Sequence, residues 1–443
     1  MCLLCLSSFF PRLKNLIINE KEIHILEKDK FSRIRKMPYE DMVYYILANK
    51  GKSTILELDD YYYEKYGADE MPISKQALSQ QRQYLNPSIF IKTNKQSIKD
   101  IYSTDVYDLE DFKEYRVFGI DGSQADIPNT PITKEEFEVD PIALKNPESP
   151  KTRISVLSDL KNDFIIDSII SPLKIGEERL AFENIENASE IIDMGKSIII
   201  FDRYYASTEL FMQLIEKNSK FIFRLKENYY KKERKKMKSD DEYVDIILNR
   251  ARTANIKNQK IKEKAKQTDY LNLRIVNIEI KPEKIETLLT NIPKELASSE
   301  ELKELYGERW QIETNYGTLK NKIHIENFSG KKRIIIEQDF YSQILMYNML
   351  IGLKIECNKK ITESQKYKDC EHEYKIDMNI LAGKLKTNVI RMIFSENEEE
   401  IAEMENKIYL SAKRYLRKVK IKPPTQRKKK PKRKYPYNNR KNF

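Results

Sequence analysis

The chain has 443 residues, 40% of them apolar and 34% charged, with a formal net charge of +11. That length exceeds what one hydrophobic core usually serves, so about two to four folding units are expected. No run approaches the ~18–20 apolar residues that cross a bilayer, which argues against a membrane-spanning protein and leaves a polar globular one.

The opening stretch, Met1 to Phe10, is apolar, but it is short for a signal peptide and has no basic segment before it. Cys2, Cys5, Cys357 and Cys370 fall in two distant pairs, and nothing in so polar a chain calls for disulfides. A reducing cytoplasm is the expected location, with nucleoid association if the source is bacterial. Cys357, Cys370 and His372 lack the spacing of a zinc knuckle and a fourth ligand, which favours incidental thiols.

From Pro38 to Phe90 the apolar period is helical, with stretches at Met42 to Leu47, Ile55 to Tyr66 and Ser74 to Leu85. Ser74 is a good N-cap, and the helix behind it projects Lys75, Gln76, Ser79, Gln80, Arg82 and Gln83. Those side chains suit base edges and phosphates; an ordinary polar solvent face reads the same way.

The period then changes. Arg116 to Ile120 predicts a strand running into Asp121-Gly122-Ser123, and Arg153 to Leu157 with Phe164 to Ile170 predicts a hairpin. A helix over Glu178 to Asp193, a short apolar strand Ser197 to Phe201 ending on Asp202, a helix over Ser207 to Glu216 and a strand Phe221 to Leu225 complete the pattern of a mixed sheet flanked by helices. From Lys226 to Lys284 the chain is charged and irregular, as in an insertion. Strands over Leu271 to Ile280 and Ile285 to Thr290 lead to a long helix, Ser299 to Lys322, and further helices follow at Glu337 to Cys357, Ile380 to Phe394 and Glu399 to Arg417.

The net positive charge lies at the end. Ser411 to Phe443 carries 15 of the 80 Lys and Arg and no acid, leaving 65 basic against 69 acidic residues elsewhere. Pro423, Pro424, Pro431 and Pro436 interrupt that tail, which suits either a phosphate-binding arm or a solubilising segment.

Two aspartates expected at strand ends are informative, because strand ends are where an open sheet presents side chains to a ligand. Asp121 and Asp202 have mundane readings too, a turn and a surface ion pair. The long helix supplies Glu313. Tyr306, Arg309, Glu313 and Lys320 recur there at steps of three, four and seven, which stacks them along one face. An Arg309–Glu313 surface pair is the plainer alternative.

The spacing Y-x2-R-x3-E-x6-K, placed after both aspartates and after Leu288-Leu289-Thr290-Asn291-Ile292-Pro293, resembles the DDE transposases of the insertion sequence four family. Phe31-Ser-Arg-Ile-Arg-Lys36 and Ser74-Lys-Gln-Ala77 extend the likeness into the N-terminal segment. The resemblance implies an α/β fold: a ribonuclease-H-like catalytic core with a β-rich insertion, a helical N-terminal DNA-binding module and a helical C-terminus. It divides the chain into a DNA-binding region at 1–100, core at 101–225 and 299–358, the insertion at 226–298, a helical region at 359–420 and a basic tail at 421–443.

By the same resemblance, Asp121, Asp202 and Glu313 hold two Mg²⁺ ions, replaceable by Mn²⁺, at the ~3.5–4 Å separation of two-metal sites. Tyr306, Arg309 and Lys320 hold phosphates at the cleaved element end, and Lys75, Gln76 and Arg82 are expected to contact DNA. The implied partners are double-stranded element ends and target DNA, bound by a homodimer in synapsis. The implied activity is strand cleavage followed by strand transfer; a nuclease or a domesticated DNA-binding protein of the same fold is the alternative. Members that pass through a hairpin carry a tryptophan where this chain has Glu286, and Trp310 is its one tryptophan. Tyr229 or Tyr230 is an alternative aromatic for that role, and Trp310 is expected to pack.

Overall fold

The computed structural model describes residues 6–32, 37–67, 72–103, 108–139, 150–281, 284–364 and 373–419. Five helices come first: α1 (Leu6–Asn19), α2 (Tyr39–Leu47), α3 (Thr54–Tyr66), α4 (Lys75–Arg82) and α5 (Ser88–Tyr102). Three of them coincide with the predicted helices. The other two, α1 and α5, were not foreseen. α1 passes through Pro11 and buries Leu6, Phe9, Phe10, Leu13 and Ile17, a stripe at helical spacing that joins the core.

The middle of the chain alternates strands and helices: β1 (Arg116–Asp126), α6 (Pro131–Glu136), β2 (Lys151–Asp159), β3 (Ile165–Pro172), α7 (Glu177–Ala188), β4 (Ser197–Phe201), α8 (Thr208–Glu216) and β5 (Lys220–Arg224). The charged segment forms α9 (Lys231–Arg234), β6 (Asp241–Ile247), α10 (Arg250–Thr253), α11 (Gln259–Lys266), β7 (Tyr270–Lys281) and β8 (Lys284–Thr290). Then come α12 (Ser299–Glu308), α13 (Trp310–Thr318), α14 (Arg333–Thr362), β9 (Tyr374–Ile376), α15 (Met378–Phe394), α16 (Glu398–Lys413) and β10 (Leu416–Lys418). No described helix is long and apolar enough to cross a membrane.

The expected mixed α/β architecture is present as one eight-stranded sheet in the order β3-β2-β1-β4-β5-β8-β7-β6. β1, β4 and β5 are parallel, and the remaining pairs are antiparallel. β4 is buried along its whole length, as a central strand covered on both faces must be. Phe201 and Phe223 stack across β4 and β5 with ring centroids 4.2 Å apart.

The insertion strands are not a separate body. β8 pairs with β5 through Ile222↔Thr290, Phe223↔Leu289 and Arg224↔Leu288, so β8, β7 and β6 extend the core sheet. β6 escaped the sequence reading because it is a polar edge strand with one fully buried residue, Ile246. Arg274 of β7 is buried and grips both carboxylate oxygens of Asp241 at 2.7 and 2.6 Å, which ties the edge in place.

Cys357 is buried with a free thiol, and burial pushes its pKa up to about 12. Cys2, Cys5, Cys370, His372, Arg33 to Lys36 and the tail from Lys420 onward lie outside the described residues.

Candidate active site

The expected position of Asp121 at the end of a strand needs correction, since β1 continues through it to Asp126. What ends there is its neighbour. β4 stops at Phe201, which pairs with Ile120, so the next residue on each strand is Asp121 on β1 and Asp202 beyond β4. From Asp121 onward β1 is paired with β2 alone, and the side of the strand facing β4 opens into a notch. Both carboxylates arrive at this notch because two parallel strands in register deliver consecutive residues to one level.

The predicted long helix is two helices, α12 and α13, meeting at Arg309. The Arg309 N–H donates to the Tyr306 carbonyl and the Ile312 N–H donates to the Arg309 carbonyl, three-residue bonds that tighten the chain there. α13 lies hard against β1. A Cβ on Gly119 would stand 2.5 Å from Ile312 Cδ1, so only glycine permits this approach. The Tyr316 hydroxyl donates to the Asp121 carbonyl at 2.8 Å, which fixes the helix along the strand. Asp121 shares the face of Gly119 by strand alternation and therefore looks toward α13.

Three of the signature side chains meet the aspartates. The Arg309 guanidinium is mostly buried and lies 3.9 Å from Glu313. Burial opposes its charge, but Tyr306, Asp202 and Asp121 more than compensate and raise its pKa. The Tyr306 hydroxyl donates to Asp202 at 3.5 Å, and burial raises its pKa, with Arg309 working against the shift. Arg309 is thus a cation shared by Asp121, Asp202 and Glu313. In this arrangement no three His, Cys, Asp or Glu side chains among the described residues converge closely enough to enclose a metal ion.

The transposase DDE domain profile matches residues 114–349. This chain belongs to the DDE transposase domain family. The matched span contains Asp121, Asp202, Tyr306, Arg309, Glu313 and Lys320, and it ends inside α14. Among solved structures, a cryo-EM synaptic complex of piggyBac transposase with hairpin DNA is similar over 90% of this chain and 85% of that one, at 12% identity and a TM-score of 0.43. No curated protein matches.

The remaining sequence-predicted residues of the transposase fall elsewhere. Lys320 lies in a single π-helical turn, Leu319–Ile323, where it donates to the Gln124 carbonyl at 2.6 Å and pairs with Glu326 at 3.1 Å. Lys75 and Gln76 are exposed on α4, as a surface reader requires. Arg82 must be corrected. It is buried, with Asp339 at 2.6 Å, Gln338 at 2.6 Å and Ser329 at 2.5 Å, and it serves to fasten α4 to α14. The packing expected of Trp310 also gives way, because the side chain is 52% exposed.

Sequence reasoning missed a cation-rich groove beside Asp202, lined by Arg203, Tyr204, Arg224, Lys226, Arg234 and Glu286. Tyr204 is exposed between two cations, with Arg203 5.1 Å and Lys226 4.7 Å from its ring centroid. Glu286 is buried and paired with Arg224 at 2.7 Å. The order Asp202-Arg203-Tyr204 carried a signal: a basic and an aromatic residue directly after a strand-terminal acid.

Burial raises the Asp121 carboxyl to about 6, with the Gly122 N–H and Arg309 pulling down and Asp202 and Glu177 pushing up. An acid whose pKa is higher in the fold than in the unfolded chain stabilises the fold when protonated. That contribution is full at acid pH below the unfolded value and is lost as pH rises through about 6. Ionised Asp121 is therefore strained at pH 7, and a bound cation would relieve it. Mn²⁺ titrations at pH 7 and pH 5 should show affinity weaker by roughly tenfold at the lower pH, as one competing proton requires. A pH-independent dissociation constant would remove Asp121 from the cation site.

Proposed function

We propose that this protein is a transposase of the insertion sequence four type, which binds the ends of its element, cleaves DNA strands and joins them to target DNA. The observation that carries the reading is the meeting of Asp121, Asp202 and Glu313 around Arg309 at the notch where β4 ends. The sheet order is consistent with a ribonuclease-H-like core, and the family membership places this chemistry within reach.

Divalent metal ions fit the donors present. The carboxylates of Asp121, Asp202 and Glu313 are hard oxygen ligands suited to Mg²⁺, with Mn²⁺ as substitute, and the raised carboxyl of Asp121 marks negative charge that Arg309 alone does not neutralise. Two such ions, held by the three acids, would activate the attacking oxygen and stabilise the leaving one. The other groups position DNA. Arg309 can present two N–H donors to a phosphate, Tyr306 one O–H, and Lys320 a point charge near the far end of β1. Tyr204 and its flanking cations offer a stacking surface next to the acids, suited to an unpaired nucleotide. Lys75 and Gln76 on α4 would read duplex outside the core, and the basic tail would add salt-sensitive affinity. Pairing two element ends calls for a homodimer on DNA.

Arg309→Ala should lower the cleavage rate by about a hundredfold, as loss of one aimed cation does. General DNA affinity, measured on the same duplex by gel shift, should stay within about threefold. An unchanged cleavage rate would demote the whole signature.

The deciding experiment incubates the protein with a labelled fragment carrying its own element ends in Mg²⁺ and in Mn²⁺, beside Glu313→Gln. End cleavage and strand joining, both lost in the variant, are the expected result. Cleavage without joining would make it a nuclease, and specific binding without cleavage a DNA-binding descendant.

A further inference from the structure

Gly122 stands one residue beyond Gly119 and Asp121 in the alternation and faces the other side of the sheet, toward α7. A Cβ there would lie 2.8 Å from Cγ and 2.9 Å from Cδ of Glu177, the first residue of α7. Glu177 thus rests its carboxylate stem on the backbone next to Asp121. Its carboxylate is 3.8 Å from Arg153, which pairs across the strands with Gln124. This repeats, on the opposite face, the relation of Glu313 to Arg309 at 3.9 Å. Each glutamate is held by an arginine at a distance too long for a good hydrogen bond.

A second observation lies between them. Tyr205, in the turn after Asp202, is 1% exposed, and its hydroxyl has no hydrogen-bond partner. The charges that bear on that hydroxyl are Asp121, Glu177, Arg153 and Asp202. A buried O–H without a partner is uncommon in a native fold. This one is directed at the notch, where an oxygen of a hydrated cation would satisfy it.

We propose that Glu177 is a further carboxylate of the active site, helping to hold a divalent cation at Asp121 from the face of the sheet opposite Glu313. The inference rests on the metal-dependent reading of the three acids and extends it to a fourth. Arg153 is its internal counter-ion when no cation is bound, and a cation must displace it. Glu177→Gln therefore loses cation affinity while Arg153→Gln gains it. A merely structural role for the pair moves both variants the same way.

The test is calorimetric titration of the full chain with Mn²⁺, with melting temperature measured on each variant. Glu177→Gln should weaken binding by about tenfold, Glu177→Asp should recover most of that, and Arg153→Gln should tighten it by about threefold. Wild-type affinity in Glu177→Gln, with affinity lost in Asp202→Asn, overturns the role of Glu177 and leaves the three-acid reading standing. Wild-type affinity in Asp202→Asn overturns both. Equal weakening in Glu177→Gln and Arg153→Gln, accompanied by lower melting temperatures, assigns the pair to stability and also overturns the proposal.

Discussion

Replacing Asp202 with Asn is expected to abolish metal-dependent strand cleavage while leaving binding to element ends intact. Asn has the shape of Asp and keeps an oxygen that can accept from Tyr306, so the turn after β4 should survive. What is lost is one full negative charge at the notch shared with Asp121 and Arg309. Arg309 would then balance the remaining acids more completely, and a divalent cation would have less reason to enter. Removing one charged group aimed at the reacting centre costs about a hundred- to a thousandfold in rate, and loss of a metal ligand belongs at the upper end. DNA affinity depends on basic side chains and phosphates, and a gel shift should find it within about threefold of wild type. Cleavage surviving at more than a tenth of the wild-type rate would take Asp202 out of the metal site.

Arg82→Ala should be the most destabilising single change on α4. The substitution removes three hydrogen bonds and leaves Asp339 buried without its cation, although Ser329 still donates to it through its N–H and hydroxyl. Breaking a buried ion pair on one side costs about 3–5 kcal/mol. For a folding unit of this size that corresponds to a melting temperature lower by about 10 °C. Lys75→Ala is the contrasting variant, one turn away and exposed. It should shift stability by no more than about 0.5 kcal/mol and weaken DNA binding. If Arg82→Ala melted like wild type and lost DNA affinity, the base-reading role expected from its sequence context would be restored.

That pair of residues shows where sequence was legible and where it was not. Lys75, Gln76 and Arg82 look alike as polar residues on a capped helix, but Leu78, Arg82 and Leu85 recur at helical spacing and form the buried stripe. Polarity outweighed position in the sequence reading. β4 was legible to the residue because a central strand leaves no room for polar side chains. β6 was not, because an edge strand is polar by necessity and resembles a loop. Asp202, Arg309 and Glu313 could be named from spacing. Their assembly could not, since it depends on β4 stopping one residue short of Asp121 and on Gly119 admitting Ile312. Glu177 gave no signal at all: acids are ordinary in the first turn of a helix.

The continuity of β8, β7 and β6 with the core has a mechanical consequence. Hydrogen-bonded strands transmit displacement sideways, and Leu288 and Thr290 are in register with Arg224 and Ile222. A pull on DNA held by the charged turns around α10 and α11 would reach β5 and then β4 as a rigid lever acts on its hinge. The same continuity separates rim from centre. β6 lies four places from β4 in the sheet, so loops at that edge can lengthen, shorten or change partners across relatives without altering the spacing of the acids. The sheet grows outward from β5, and its newest margin is the one freest to vary.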